Sequence, residues 1–269
     1  MTTIGVVARS LRATLEMALP TTCGGCGAAG ATWCDPCARE AGRLTYSGGP
    51  RQAFPKPTPA GYPPTWAATP YDASVRAALV AFKDGDRRDL ETVLAPMLSD
   101  AIAAALATDP VLLEVLTSGN GPVLVVPVPS SASAVRRRGD APLELLTRGA
   151  LVRAARAGIK GQLIFSPALR IRRRVADQAG LDHRQRATNL EHAMQVKPRW
   201  RASVRGVTCL LTDDVLTTGA TLVEAARALR EAGSGHVAAA TVAATQRRVV
   251  PAGGGFQDGD LRSQSCGER

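Results

Sequence analysis

The segment Leu210-Leu211-Thr212-Asp213-Asp214-Val215-Leu216-Thr217-Thr218-Gly219-Ala220-Thr221 holds the densest set of chemically useful side chains in the chain. Two adjacent carboxylates follow an apolar run with the character of a buried strand. Open α/β sheets hold their ligands outside the carboxyl ends of such strands. A short loop of hydroxyl residues and one glycine then leads into a helix from about Ala220. The free amides and positive dipole end of that helix suit a phosphate monoester. Thr217, Thr218 and Thr221 add hydroxyl donors, and Gly219 lets the backbone approach closely. Asp213 and Asp214 only accept hydrogen bonds, so they suit vicinal hydroxyls on a sugar. A ligand with a phosphate at one end and a diol nearby is a ribose 5-phosphate. The simpler explanation is a cluster of helix-capping residues, which accounts for one Thr or Asp but not for two acids followed by Thr-Thr-Gly-x-Thr. No Gly-Lys-Ser/Thr follows the glycine, which excludes a Walker loop.

A second constellation is Cys23-x2-Cys26-x7-Cys34-x2-Cys37. Each Cys-x-x-Cys turn can present two sulfurs to one tetrahedral ion, and seven residues suffice for the return loop. Gly24, Gly25, Gly27 and Gly30 supply the backbone freedom of such knuckles. A redox pair of the thioredoxin kind needs a βαβ setting that this segment lacks, and a pair of disulfides is the other competitor. Structural Zn²⁺ held by Cys23, Cys26, Cys34 and Cys37 is the favoured reading. The three histidines, His183, His192 and His236, are scattered and complete no triad or metal pair.

The elements that must position these residues show in the periodicity. Ser74–Lys83, Leu90–Ala107, Leu143–Ala157 and Ala220–Glu231 have helical spacing, and Gly158 and Gly233 stop the last two. Val123–Val128, Val207–Thr212 and Val237–Thr245 are continuous apolar runs, as expected of strands buried on both faces of a parallel sheet. Strand, helix and strand in succession form a βαβ unit, so the fold class is α/β. Four regions are expected: a segment 1–46 with the cysteine module, a Pro/Gly-rich connector 47–70 without a core of its own, an α/β domain 71–248 and a disordered tail 249–269.

Composition bounds the rest. The chain has 269 residues, enough for one full domain and an accessory module, and 45% are hydrophobic. No apolar run approaches the ~18–20 residues of a membrane span. Ile4–Ala8 is too short a run, with Arg9, Arg12 and Glu16 beyond it, for a signal peptide. A cytoplasmic chain is the expectation. The formal charge of +10, from 33 Lys+Arg against 23 Asp+Glu, points to an anionic partner. Aromatic residues make up only 4%, a sparse supply for a base-stacking groove.

Asp213–Thr221 resembles the phosphoribosyl-pyrophosphate motif of type I phosphoribosyltransferases. The chain from about residue 10 to 248 resembles the ComF family of predicted phosphoribosyltransferases, associated with DNA uptake in competent bacteria. Four features carry the resemblance in order: Cys23–Cys37, the set Tyr71, Arg76, Lys83 and Gly85, the strand end Val126-Pro127-Val128-Pro129, and Asp213–Thr221. It implies a type I phosphoribosyltransferase-like parallel sheet with helices on both faces and a small N-terminal zinc knuckle. It also implies that Asp213 and Asp214 hold the ribose hydroxyls, directly or through Mg²⁺, while Thr217, Thr218, Gly219, Ala220 and Thr221 cradle the 5-phosphate. The turn with Ser130 and Ser131 takes the place of the pyrophosphate loop. Arg136, Arg138 and Gly139 look like the family's Arg-x-Arg-Gly, but Asp140-Ala141-Pro142 stand where most members have Phe-Asn-Gln. Gln178, Arg186 and Asn189 match a segment that is a mobile lid in type I relatives. The partners implied are phosphoribosyl pyrophosphate and, for an alternative role in DNA uptake, single-stranded DNA and a competence helicase-type protein. A sensor that binds the pyrophosphate sugar without turnover is a further alternative.

Overall fold

The structure is a computed structural model that describes residues 21–130, 135, 139–159, 163–172 and 192–245. In chain order the main elements are α1 (Asp35–Leu44), β1 (Arg51–Gln52), β2 (Thr65–Pro70), α2 (Ala73–Asp84), α3 (Glu91–Thr108), α4 (Pro110–Ser118) and β3 (Val123–Pro127). Then come α5 (Pro142–Arg156), β4 (Leu163–Phe165), β5 (Leu169–Ile171), β6 (Met194–Val196), α6 (Arg201–Val204), β7 (Cys209–Leu216), α7 (Ala220–Glu231) and β8 (Val237–Ala244). Six strands form one sheet in the order β1-β2-β8-β7-β3-β4, parallel except for the edge strand β1, while β5 and β6 pair as an antiparallel hairpin. The α/β class expected from the apolar runs is the class observed.

Both faces of the sheet are covered. On one face Leu94, Leu98 and Ile102 of α3, Phe82 of α2 and Leu146 of α5 pack with Leu210 and Ala240 of the sheet. On the other, Leu222, Ala225 and Leu229 of α7 and Met194 of the hairpin pack with Leu124, Leu211 and Ala239. Each fully buried Leu or Ile contributes about 1.5–3 kcal/mol relative to exposure. The helical stretch Arg88–Thr108 is long and apolar enough to cross a membrane by length and composition, contrary to the expectation that no run approaches that limit. Its Leu94, Leu98 and Ile102 are wholly buried against the sheet, which accounts for the hydropathy.

Three features go beyond the sequence reading. The last residues of the expected connector form β2, and Thr65, Trp66, Ala67, Ala68 and Thr69 are all buried beside β8. Strand β7 runs past Thr212 to Leu216, because the ladder to β8 continues through Asp213↔Thr241 and Leu216↔Ala244. Helix α4 follows directly on α3. Asp109 Oδ1 accepts from the amides of Val111 and Leu112, Pro110 opens the helix and Gly119 closes it at φ 68°. His236, one of the three scattered histidines, places Nε2 3.0 Å from the other oxygen of this buried aspartate.

The topology makes a crevice at one place. The chain leaves β3 toward its neighbour β4, and leaves β7 in the opposite direction toward β8. The carboxyl ends of β3 and β7 therefore flank a topological switch point, where open parallel sheets bind ligands.

Candidate functional site

Asp213 and Asp214 occupy that position, half-buried near the end of β7. Their carboxylates turn back on the chain: Asp213 Oδ1 accepts from the Asp214 amide at 2.9 Å, and Asp214 Oδ1 from the Val215 amide at 2.9 Å. Burial first, and the neighbouring Asp214 charge second, push the Asp213 carboxyl up to about 8, against the pull of Lys83. Two adjacent carboxylates that repel each other at the mouth of a crevice are relieved by hydroxyl donors or a cation.

The cation present is Lys83. Its Nζ lies 2.7 Å from Asp214 Oδ2, with the lysine side chain 53% exposed and the aspartate 17%. Burial lowers the ammonium's proton affinity, but Asp214 and then Asp213 outweigh it and hold Lys83 above its ordinary range. Helical spacing puts Lys83 on the last turn of α2, yet nothing local names its partner, which lies 131 positions later in the chain. Arg76, seven residues earlier, instead lies over the Tyr71 ring.

Beyond the acids, Thr217 is exposed, Thr218 half-buried and Gly219 buried as the residue that precedes α7. Gly219 adopts φ 77°, and a Cβ there would meet the Tyr62 ring at 2.9 Å and Pro55 at 3.0 Å. Glycine is therefore required twice, for its backbone angle and for the close approach of the 53–63 segment. Thr218 Oγ1 accepts from the Ala220 amide at 3.3 Å, and the Val223 amide begins the helical ladder on Gly219 O. The amides of Thr221 and Leu222 fall in the first turn, where a helix offers no partner of its own. They can serve an anion. Behind the strand, the buried hydroxyls of Thr212 and Thr147 meet at 2.8 Å and tie β7 to α5.

Across the crevice, Val128 donates to Thr212 O at 3.0 Å, so the chain stays on the sheet until Pro129, and Ser130 is half-buried at the turn. Ser131, Arg136, Arg138, Gln178, Arg186 and Asn189 lie outside the described residues. Asp140, the departure from the Phe-Asn-Gln pattern, has a visible role. Its carboxylate takes Arg88 in a two-pronged ion pair, and Arg88 also donates to Phe82 O at the end of α2. The turn before α5 is thus fastened to the helix end that presents Lys83.

The four cysteines converge. Sγ atoms of Cys23, Cys26, Cys34 and Cys37 all lie within 4.8 Å of one another, with Cys26 and Cys34 3.6 Å apart. Tetrahedral Zn²⁺ with ~2.3 Å bonds separates sulfurs by about 3.8 Å. Amides of Gly25 and Cys34 point at Cys23 Sγ, each at 3.4 Å. Burial raises the Cys23 thiol, but the Cys34, Cys26 and Gly25 amides outweigh it and bring it down to about 6. Cys37 is pushed up, first by burial and then by its sulfur neighbours. One thiolate already favoured and another held back by burial and by its sulfur neighbours is what a divalent cation would resolve, and the cluster is compatible with structural zinc. The module sits directly on α2 and α3. A Cβ on Gly24 would fall 2.5 Å from Leu90, and one on Gly25 3.0 Å from Ser74 Cβ. Glu40 of α1 accepts from the Ser74 amide in the first turn of α2, and Arg87 donates to Thr22 O at 2.7 Å.

Residues 169–260 match a family model described as a phosphoribosyl transferase domain. The matched span contains the acid pair and the threonine turn, and leaves out Lys83, β3 and the cysteine cluster. No curated protein matches the chain.

Proposed function

We propose that this chain binds phosphoribosyl pyrophosphate together with Mg²⁺ and transfers the phosphoribosyl group to a small nucleophilic acceptor. The observation that carries the reading is the acid pair on β7 followed at once by the Thr217–Thr221 turn at the N-terminus of α7, at the switch point of a parallel sheet. In this reading Asp213 and Asp214 hold the ribose hydroxyls, or a cation that bridges to them. Carboxylate oxygens are the ligands that Mg²⁺ takes, usually with several waters retained. Thr217, Thr218 and Thr221, with the first-turn amides of α7, hold the 5-phosphate. Ser130 and the turn after Pro129 face the diphosphate. In the transfer, the bond between the anomeric carbon and the diphosphate oxygen breaks, a bond to the acceptor heteroatom forms, and the acceptor's proton leaves to solvent or base. Mg²⁺, when bound, neutralises the departing pyrophosphate. The protein mainly positions groups and stabilises charge. The ComF resemblance agrees with this assignment, and Zn²⁺ on Cys23, Cys26, Cys34 and Cys37 would hold the N-terminal module.

Calorimetric titration of the zinc-loaded protein with Mg²⁺ and phosphoribosyl pyrophosphate tests the reading. Saturable binding is expected, with its loss in the double variant Asp213→Asn plus Asp214→Asn. Absence of binding by the unaltered protein would overturn the assignment. Binding without pyrophosphate release, across a panel of bases and amines, would turn the transferase reading into that of a sensor.

A further inference from the structure

We propose that a cleft at the far end of α7 from the threonine turn is a second anion site, which takes a phosphate or diphosphate ester. The cleft has a volume of about 410 Å³ and is lined by Arg172, His192, Arg201, Arg205 and Arg227, with Glu231 as the one acid among the described residues. No residue of the Asp213–Thr221 segment contributes to its wall. Volumes of this order hold drug-sized organic ligands. Met194, Val196 and Ala228 also line the cleft, but they are buried and the exposed lining is mainly polar.

The balance of charge carries the argument. Arg227 is already committed: it pairs with Glu224 at 2.7 Å and with Glu231, and donates to Met194 O at 3.0 Å. Glu231 is therefore neutralised within the wall. Arg172, Arg201 and Arg205 are exposed, and among the described residues none of them has an acid partner. Three guanidiniums without an acid partner among the described residues rim a concave pocket. Guanidinium forks match phosphate oxygens in two-pronged geometry, so the ligand class is a phosphate or diphosphate ester.

The test uses the full zinc-loaded chain and ADP as the probe, followed by calorimetry. ADP carries its own ribose diphosphate and can enter either site, so two variants separate them. Arg201→Ser plus Arg205→Ser alters only exposed side chains. It is expected to weaken ADP by about tenfold or more, the loss of two charged contacts, with an unchanged melting temperature. Asp213→Asn plus Asp214→Asn is expected to leave that binding event in place. Slowed amide exchange in 194–205 on addition of ADP is the independent readout. Unchanged ADP affinity in the arginine variant, or loss only in the aspartate variant, would overturn the proposal while leaving the sugar-phosphate reading intact. So would much tighter, arginine-dependent binding of a short oligothymidylate with a steep salt slope, which would assign the cleft to a nucleic-acid backbone.

Discussion

Lys83 and Asp214 set the electrostatic state of the crevice before any ligand arrives. The contact is short, 2.7 Å, but the lysine is more than half exposed, so solvent screens most of its strength. Its importance lies in what it neutralises: one of two carboxylates on adjacent residues. Lys83→Ala leaves Asp213 and Asp214 facing each other without that cation, and should lower stability to urea by at most about 1 kcal/mol. Lys83→Arg should keep most of it. If the acid pair also receives Mg²⁺, added MgCl₂ should close the gap between Lys83→Ala and the unaltered protein. An identical gap with and without the salt would mean that the ion does not reach these carboxylates. Some of this was open to sequence reasoning and some was not. Asp213-Asp214 and Thr217–Thr221 announce themselves because the chemistry is local and contiguous. Lys83 stands in the set that carries the resemblance, but its partner Asp214 does not show in the sequence, since the helix and the acid meet only through the sheet. Asp140 looked like a defect in a motif, and its ion pair with Arg88 is likewise a product of tertiary packing.

At the level of elements, the cysteine knuckle and α2 form one structural joint. Glycines let the knuckle lie against its support: a Cβ on Gly25 would stand 2.7 Å from Cys37 Sγ and 3.0 Å from Ser74 Cβ and Trp33. Its φ is not in the left-handed region, so the requirement is purely for space. Gly25→Ala should therefore push on a sulfur and on the first turn of α2 together. The expected result is reduced zinc content after dialysis against a competing chelator, and a loss of about 1–3 kcal/mol in urea unfolding, as for an overpacked core. Full zinc content and unaltered stability would show that the knuckle rides loosely on the helix. Helix α7 was legible to both its ends, because an apolar face, a glycine before it and a glycine after it all agree. Strand β2 was not. Thr65-Trp-Ala-Ala-Thr-Pro70 is short, bordered by prolines and built of small residues, and its strand character comes from pairing with β8. The end of β7 was missed for the opposite reason, since two aspartates end an apolar pattern without ending a hydrogen-bond ladder.

For the whole molecule, packing contacts cross the boundaries suggested by composition. A proline-rich stretch between a metal module and an α/β domain suggests two units on a tether. In the fold, the same stretch supplies an inner strand and sends Tyr62 and Pro55 against Gly219. On the other side of the sheet, Trp33, Ala41 and Leu44 of the cysteine module pack into the core that holds Phe82, Leu94 and Ala240. Metal binding to the cluster is then linked to the stability of the sheet, because an ion held only by the folded state stabilises everything that unfolds with it. Thermal unfolding of the zinc-loaded protein should be a single transition, with tryptophan fluorescence and far-ultraviolet circular dichroism superimposing. Trp33 in the module and Trp66 in β2 make the fluorescence sensitive to both regions. Chelation should move that one transition down by about 10 °C, corresponding to roughly 3 kcal/mol for a chain of this size. Two transitions, with chelation affecting only the lower one, would mean that the module folds as a separate unit and does not help to hold Lys83 over the acid pair.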